Sequence, residues 1–352
     1  MRAALRKLST VQPLTSGAVA RHATPLGKVS VANDMTLGKA AKVVTEAAKA
    51  EEELQNYHRK FMYRPKDGAY ATKQVLEQVF GTTGRGVTKE SFFFGVQHPD
   101  HLEINISMTE TVSVPFGEVH FAPLEGTMSI GGTNDPEYGQ LFVLSITCPR
   151  KYGPEASGLF NLIELYLTEN SIYKGKAVRG TDDPQFISTD TDSSIVYNAE
   201  VYSALESYVW GPIRQTQLLR DMSIKTDPKI LLHGPYGTGK SEAGRLTAKV
   251  AVENGWTFIQ FDSGKKSIKD LEAALQTARL LAPAVVYVED IDIYTSEQDD
   301  RAQTRMLEMF DGLSSKGGEV MIVMTSNRKE AFSKGMLRAG RISKMIEIKE
   351  LD

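Results

Sequence analysis

Residues 231–241 read LLHGPYGTGKS, and their types and spacing match a loop that binds the phosphates of a nucleotide. The fixed positions of the pattern G-x-x-x-x-G-K-[ST] are filled by Gly234, Gly239, Lys240 and Ser241. A short apolar strand, 230–232, runs into this loop, and a helical pattern, 242–253, follows it. The glycines let the backbone N–H groups turn towards a phosphate, and the helix amino terminus adds a positive dipole end. A chance glycine-rich turn is the alternative, and the flanking strand and helix argue against it.

The residues of this loop and of the first helical turn are the predicted nucleotide contacts. We expect the Lys240 ammonium to reach the β- and γ-phosphates and the Ser241 hydroxyl to supply an oxygen to Mg²⁺. The predicted binding residues are Gly234, Pro235, Tyr236, Gly237, Thr238, Gly239, Lys240, Ser241 and Glu242. The predicted ligands are therefore the phosphates of a nucleotide and Mg²⁺.

Carboxylates follow a second apolar strand further along the chain. Residues 284–288 (AVVYV) lead directly into Glu289 and Asp290, and Asp292 follows. A carboxylate at the carboxyl end of a parallel strand lies beside the phosphate loop, where it can hold the water shell of a metal or orient an attacking water. A solvated acidic loop is the alternative, but these carboxylates directly follow a buried strand. Asn327, after the strand 320–324, can hydrogen-bond the γ-phosphate or the lytic water.

From about Ile195 to Asp352 the chain resembles the AAA clade of AAA+ ATPases. The segments that carry the resemblance are Leu205–Gly234, Ala282–Asp292 (APAVVYVEDID), Arg305–Leu313 (RMLEMFDGL), Thr325–Arg328 (TSNR) and Gly335–Arg341 (GMLRAGR). The resemblance implies an α/β fold, namely the P-loop AAA+ large subdomain with its parallel sheet. It also implies hydrolysis of ATP with Mg²⁺.

The same resemblance implies roles for single residues. The implied catalytic residues are Glu289, Asp290, Asn327, Arg338 and Arg341. Asn327 matches the sensor asparagine, and we expect Glu289 to bind the metal together with Ser241. Arg338 and Arg341 match arginines that reach the γ-phosphate of a neighbouring subunit, so the implied assembly is a ring, usually a hexamer. An ordinary basic loop is the alternative for these two arginines.

Three departures from the family pattern limit what the resemblance implies. The family reads Asp-Glu where this chain reads Glu289-Asp290, so the water-polarising position carries a side chain one methylene shorter. The loop between the second strand and its helix, 262–267, is short and has no aromatic residue to grip a polypeptide. Only a few residues follow the strand 345–348, so we expect that the helical lid of relatives comes from elsewhere or that the sequence is truncated before it.

The amino-terminal 190 residues match no family that we can name. Residues 1–33 carry basic but no acidic residues, as in a mitochondrial transit peptide or a flexible basic tail. Apolar residues at three- to four-residue steps predict an amphipathic helix over 34–61. Alternating residues over 102–109 and a helical stripe over 159–167 predict a separate α+β domain at 62–190. In the family that the carboxyl-terminal residues resemble, this position usually holds a domain that binds a substrate or an adaptor. Residues 178–195 are predicted to be a linker, and the ATPase part to span 195–352.

The composition bears on four further possibilities: nucleic-acid binding, membrane insertion, disulfide bonds and a metal site. The net charge is −3, which points to neither nucleic acid nor membrane, and no apolar run approaches the length of a membrane span. Cys148 is the single cysteine, so no disulfide can form within the chain. His98 and His101 form an H-x-x-H pair, for which a loop before a strand is favoured over a metal site because a third ligand is missing.

These patterns predict an ATP-hydrolysing AAA-type protein that remodels a protein substrate in a ring of like subunits. The alternatives are an ATP-controlled assembly or switch module with little turnover, and an ATPase that processes DNA. The negative net charge and the lack of a basic–aromatic stripe argue against DNA, although Lys265 and Lys266 at a ring axis could contact phosphates. The predicted location is the cytoplasm, or the mitochondrial matrix if residues 1–33 are a transit peptide.

Overall fold

The computed structural model describes residues 20–24, 27–31, 36, 38–39, 42, 54–86, 89–91, 95–97, 101–190, 197–224, 226–265, 267–295, 306, 308–310, 319–328 and 341–349. They form an amino-terminal α+β part and a carboxyl-terminal α/β part. None of the helices within these ranges combines the length and the apolar character needed to cross a membrane.

The amino-terminal part combines short strands with longer helices. Its strands are β1 (Ala20–Thr24), β2 (Gly27–Val31), β3 (Leu54–Phe61), β4 (Arg85–Gly86), β5 (Lys89–Ser91), β6 (Gly95–Gln97), β7 (His101–Asn105), β8 (Thr111–Pro115), β9 (Gly117–Phe121), β10 (Gly126–Asp135) and β11 (Gly139–Pro149). Its helices are α1 (Pro65–Phe80) and α2 (Gly153–Asn170), with 3₁₀ turns at Ala122–Leu124 and Arg150–Tyr152.

An antiparallel sheet forms the centre of this part. Among the described residues its strand order is β3-β11-β10-β9-β4. Every second residue in the middle of β10 and β11 is buried, including Met128, Ile130, Leu144 and Ile146, as the two-residue period of a half-buried strand requires. These side chains pack into one cluster with buried residues of α1 and α2. The α+β class predicted for this part is thus confirmed.

Helix α1 approaches the sheet closely at Gly68. A Cβ atom at this position would lie 2.0 Å from Cγ of Phe142, whose ring in β11 packs on Phe61 with 5.2 Å between ring centroids. No side chain fits between the helix and this ring. Glycine here therefore sets how near α1 lies to β11.

We expect Gly68→Ala to lower the free energy of unfolding by about 1–3 kcal/mol, because overpacking displaces the Phe142 ring. Gly158→Ala is the matched control, since Gly158 lies in α2 and a Cβ there meets no atom within 4 Å. Alanine at the control position is expected to stabilise the chain by roughly 0.5–1 kcal/mol. Urea unfolding followed by circular dichroism measures both changes, and equal effects of the two substitutions would contradict the close approach.

Three predictions for the amino-terminal part need comment. The amphipathic helix over 34–61 is wrong at its carboxyl end, because Leu54–Phe61 forms strand β3 and pairs with β11 from Phe142 to Pro149. The flexible tail over 1–33 is wrong for Ala20–Thr24 and Gly27–Val31, which pair as the antiparallel strands β1 and β2. The apolar residues of Leu54–Phe61 lack a two-residue alternation, and pairing with the distant strand β11 decides their structure. His101 begins β7, whereas His98 lies outside the described residues.

The carboxyl-terminal part alternates strands and helices. Its strands are β12 (Ala177–Arg179), β13 (Gln185–Phe186), β14 (Lys229–His233), β15 (Thr257–Asp262), β16 (Ala284–Glu289), β17 (Val320–Ser326) and β18 (Lys344–Glu347). Its helices are α3 (Ala199–Leu205), α4 (Gly211–Arg214), α5 (Thr216–Asp221), α6 (Lys240–Glu253) and α7 (Ile268–Leu280). A π-helical turn, Glu206–Trp210, joins α3 to α4, and 3₁₀ turns lie at Ser263–Lys265 and Ile291–Thr295.

These strands form a mostly parallel sheet, which we call the large sheet. Within the described residues its order is β13-β12-β15-β16-β17-β14-β18, and its one antiparallel pair is β12 with β13. The central strands β14 and β17 are buried at every position, as expected when helices cover both faces of a parallel sheet. The α/β class with a parallel sheet, predicted for the carboxyl-terminal part, is confirmed.

The predicted linker over 178–195 is wrong at its beginning. Strand β12 pairs in parallel with β15, and β13 pairs with β12, so both strands extend the large sheet beyond β15. Two- and three-residue strands give too short a pattern to recognise among the Asp, Thr, Ser and Gly of this stretch. The chain therefore enters the α/β part at Ala177.

Two buried charged residues of the amino-terminal part fix the junction with the carboxyl-terminal part. Arg64 donates through Nη1 to the backbone oxygens of Tyr138 and Gln140 and through Nη2 to Oγ1 of Thr277 in α7, over 2.7–2.8 Å. Asp67 accepts hydrogen bonds from Oγ of Ser171 (2.6 Å) and from the backbone N–H that follows it. Burial raises the pKa of Asp67 to about 7, although both hydrogen bonds oppose the shift. One cluster of buried apolar side chains spans both parts.

Candidate nucleotide-binding site

The phosphate loop connects β14 to α6 at the carboxyl edge of the large sheet. Two glycines give the loop its path. A Cβ on Gly234 would lie 2.1 Å from the backbone oxygen of Ile348, so a side chain there is excluded. Gly239 has φ 95° and starts α6 from a left-handed conformation that few other residues adopt. The loop therefore has the backbone form of a phosphate cradle, with the amino terminus of a 14-residue helix pointing into it.

Lys240 lies across the loop that precedes it. Its Nζ donates to the backbone oxygens of Gly234 (2.7 Å) and Pro235 (2.6 Å), and only 8% of the residue is exposed. Burial lowers the pKa of the Lys240 ammonium, while Asp290 and Asp292 oppose that shift through their charges. The ammonium is thus placed between the loop and the carboxylates that follow β16.

Two tyrosine hydroxyls hold the start of α6, and neither was found by sequence reasoning. The Tyr197 hydroxyl donates to the backbone oxygen of Gly239 (2.7 Å), and that of Tyr287 donates to the backbone oxygen of Lys240 (2.5 Å). The Tyr287 ring packs against α6 at Gly244, where a Cβ would lie 2.7 Å from the ring. Tyr287 reads as one more apolar residue of a buried strand, so no sequence signal marks its hydroxyl.

The other predicted binding residues surround this cradle. Tyr236 is at the tip of the loop and is 80% exposed, whereas Thr238 is nearly buried and donates through Oγ1 to the backbone oxygen of Pro235 (2.9 Å). Gly237 has φ 82° and open space around it. Ser241 is exposed on the first turn of α6. Glu242 is nearly buried and pairs with the Arg245 guanidinium at 3.0 Å.

Asp290 stands in a left-handed conformation directly after β16, with φ 50°. Its backbone N–H donates to Oγ1 of Thr325 in the neighbouring strand β17, over 3.0 Å. Its Oδ1 accepts a hydrogen bond of 3.0 Å from Nδ2 of Asn327. Residues in such sparsely populated conformations cluster at functional sites, where the surrounding structure holds them. The structure thus brings the predicted catalytic carboxylate and the predicted sensor asparagine into direct contact.

The other end of the Asn327 amide has no hydrogen-bond partner among the described atoms. Oδ1 of Asn327 is buried from solvent, and an unsatisfied buried acceptor is costly in a native protein. A donor or a bound water is the natural complement of such an oxygen.

Glu289 is half-buried at the end of β16, next to Asp262 of β15 in the strand register. Burial first, and then the charges of Asp262 and Asp290, raise the pKa of the Glu289 carboxyl. The Arg179 charge and a hydrogen bond from the Gln260 side chain lower it. The Glu289 carboxylate and the Ser241 hydroxyl are hard oxygen donors of the kind that Mg²⁺ accepts beside phosphate oxygens.

The predicted arginines lie further along the chain. Arg341 is at a turn before β18 and is partly exposed, whereas Arg338 lies outside the described residues. The short loop that follows β15 forms the 3₁₀ turn Ser263–Lys265, and the Ser267 side chain then caps α7 together with Asp270. Within the described ranges, no three His, Cys, Asp or Glu side chains group together as a metal cage of their own.

Comparison with known proteins identifies the family of this part. Residues 230–350 match the model of the family described as "ATPase family associated with various cellular activities (AAA)". The proteasome-activating nucleotidase of Methanocaldococcus jannaschii is 26% identical over 202 residues, which is 52% of this chain and 44% of the relative. The 26S proteasome regulatory subunit 6B homolog of Schizosaccharomyces pombe is 28% identical over 188 residues, 48% of this chain and 46% of the relative. The ATPase family gene 2 protein homolog A of Homo sapiens is 28% identical over 159 residues, 41% of this chain and 18% of the relative.

The chain thus spans less than half the length of these relatives. The family match begins in β14 and ends after β18, so it contains the phosphate loop, the carboxylates after β16 and Asn327. Residues 230–350 of this chain thus match the AAA family of ATPases.

Proposed function

We propose that this chain binds ATP with Mg²⁺ and hydrolyses it in a ring of like subunits, and that hydrolysis remodels a protein substrate held by the amino-terminal part. The main support is one contact, the Asn327–Asp290 hydrogen bond of 3.0 Å, at the edge of the sheet that carries the phosphate loop. Relatives named as a proteasome-activating nucleotidase and a proteasome regulatory subunit favour a role in handling proteins. A cytoplasmic or mitochondrial location stays a prediction.

The proposed mechanism assigns one task to each residue of the site. Lys240 exchanges the backbone oxygens of Gly234 and Pro235 for phosphate oxygens of ATP. Asp290 orients the attacking water, and Asn327 holds the Asp290 carboxylate in place. Ser241 and Glu289 would hold Mg²⁺, whose charge would offset the negative charge that develops on the phosphates. Arg338 and Arg341 act on the ATP of a neighbouring subunit.

A second candidate is a switch module that binds ATP with little turnover. Asp290 is one methylene shorter than glutamate, and its Oδ1 already accepts the Asn327 hydrogen bond. A misplacement on the order of 1 Å can lower a rate about 100-fold. This geometry is compatible with tight binding and slow hydrolysis.

ATP turnover in mixed assemblies tests the proposed ring. Arg341→Ala and Asp290→Asn subunits are each expected to be inactive alone. When they are mixed in equal amounts, about one interface in four carries both intact partners, because the interfaces of a ring are heterologous. We therefore expect turnover to reappear at roughly a quarter of the parent value if the sites act independently. Mixtures that stay inactive, although mixed rings are seen by mass measurement, would contradict an arginine acting in trans.

The same assay separates the candidate functions. Turnover of the parent chain that rises with an unfolded protein supports the remodelling activity. Tight ATP binding with turnover near zero supports the switch module. Turnover that rises with DNA and not with protein supports a DNA-processing ATPase.

A further inference from the structure

A row of polar side chains crosses the carboxyl edge of the large sheet beside α6. In the strand register, Arg179 of β12 lies opposite Gln260 of β15, and Asp262 of β15 lies opposite Glu289 of β16. Because residues two apart in a strand share a face, Gln260 and Asp262 point to the same side of the sheet. That side also carries Tyr287, whose hydroxyl bonds the start of α6. The row therefore leads from the edge of the sheet to the candidate nucleotide site.

Hydrogen bonds connect the row. Nε and Nη2 of Arg179 donate to Oε1 of Gln260 over 3.3 and 3.2 Å. Gln260 lies opposite Tyr287 in the strand register, so its side chain is on the same face as Glu289, two positions further along β16, and it lowers the pKa of the Glu289 carboxyl. A glutamine amide has an acceptor oxygen at one end and a donor NH₂ group at the other, whereas arginine has donors only. Arg179 therefore occupies the oxygen of Gln260, and the NH₂ group is left to donate to Glu289.

Without Arg179, nothing in this row of side chains fixes which end of the Gln260 amide faces Glu289. The Gln260 amide can then rotate and turn its oxygen towards the Glu289 carboxylate, which repels it. Glu289 also has the carboxylates of Asp262 and Asp290 near it, and Arg179 supplies an opposite charge. Hydrogen-bond partners behind a metal-binding carboxylate commonly fix its direction.

We propose that Arg179, acting through Gln260, is a positioning residue that holds the Glu289 carboxylate in one orientation for the Mg²⁺ of bound ATP. This inference rests on the proposed function and adds a residue to it. Arg179 belongs to β12, outside residues 230–350 that match the family model. Strand β12 thus contributes a residue that supports the site.

The test measures how strongly Mg²⁺ improves nucleotide binding. A fluorescent, non-hydrolysable ATP analogue is titrated into the full chain with Mg²⁺ and again with EDTA, and the ratio of the two Kd values is the readout. In Arg179→Met and in Gln260→Leu we expect this ratio to fall about 10-fold, the lower range for loss of a partner behind a metal ligand. The Kd in EDTA is expected to stay at the parent value, which general damage to the fold would not allow.

Three further variants sharpen the result. In the double variant Arg179→Met with Gln260→Leu, the ratio of the two Kd values is expected to fall no further than in either single variant. Both substitutions break the same chain of contacts. Arg179→Lys keeps a charge and a donor, so it is expected to retain most of the ratio. Arg214→Met is the matched control, since it removes an arginine that bonds another side chain, Glu206, away from the site.

The outcomes separate this inference from the function on which it rests. A parent chain that binds no nucleotide overturns the proposed function and this inference with it. A parent with a clear Mg²⁺ effect, and an unchanged ratio in Arg179→Met, overturns the positioning role alone. Fully additive losses in the double variant overturn action through Gln260.

Discussion

Replacing Lys240 with alanine is expected to weaken ATP binding about 10- to 100-fold, because hydrogen bonds to charged groups contribute roughly 1.5–3 kcal/mol each. The Lys240 ammonium lies against the phosphate loop, where it donates hydrogen bonds to the backbone oxygens of Gly234 and Pro235. Phosphate oxygens carry more negative charge than these carbonyls, so the ammonium gains from the exchange. Equilibrium titration with a fluorescent ATP analogue measures the change.

The Lys240 side chain also supports the backbone of the phosphate loop, so a separate control for the fold is needed. Lys249→Ala removes the same charge from the same helix, away from the loop, and is expected to bind ATP as the parent does. Trp210 bonds Oγ1 of Thr247 in α6 over 3.0 Å, so tryptophan fluorescence reports whether this helix stays packed. Unchanged ATP affinity in Lys240→Ala, with α6 intact, would contradict the assignment of residues 234–241.

Asp290→Asn is expected to abolish ATP hydrolysis and to leave ATP binding nearly intact. The substitution keeps the size of the side chain and removes the negative charge that we propose orients the lytic water. Loss of a group that acts only in the transition state lowers the rate and spares the affinity. Single-turnover hydrolysis and analogue titration on the same protein measure the two effects.

Two further variants test the reversed order of the carboxylates. Asp290→Glu restores the usual reach and is expected to keep or raise turnover. The left-handed backbone does not forbid glutamate, because Glu125 adopts φ 49° in this chain. Glu289→Gln is expected to weaken the dependence on Mg²⁺. If Asp290→Asn hydrolyses ATP at the parent rate while Glu289→Gln is inactive but binds Mg·ATP, the roles are the reverse of those proposed.

Sequence patterns predicted the carboxyl-terminal part well because its signals are local. The phosphate-loop spacing and the buried run before Glu289 each lie within about a dozen residues, and the strands 284–289 and 320–326 appear where the apolar runs predict them. The carboxyl ends of neighbouring parallel strands meet at one edge of a sheet, so contact between Asp290 and Asn327 follows from their places after β16 and β17.

Features that depend on distant pairing were not predictable in this way. The apolar residues of Leu54–Phe61 fit a helix as well as a strand, and only the pairing with β11 selects the strand. Arg179 and Gln260 are 81 positions apart and meet because β12 joins the edge of β15. No spacing rule connects such residues, so their contact with Glu289 emerges only from the assembled sheet.

The chain enters the large sheet at Ala177, and this position limits where a shorter recombinant fragment can begin. A recombinant fragment that begins at Ile195, where the resemblance to AAA ATPases starts, would lack β12 and β13 and would leave the edge of β15 unpaired. Unpaired strand edges invite aggregation. Such a fragment would also lose Arg64, which bonds Thr277 of α7. Deleting or exchanging all residues before Ile195 would therefore damage the α/β part that remains, through loss of β12 and β13 and of the Arg64 contact.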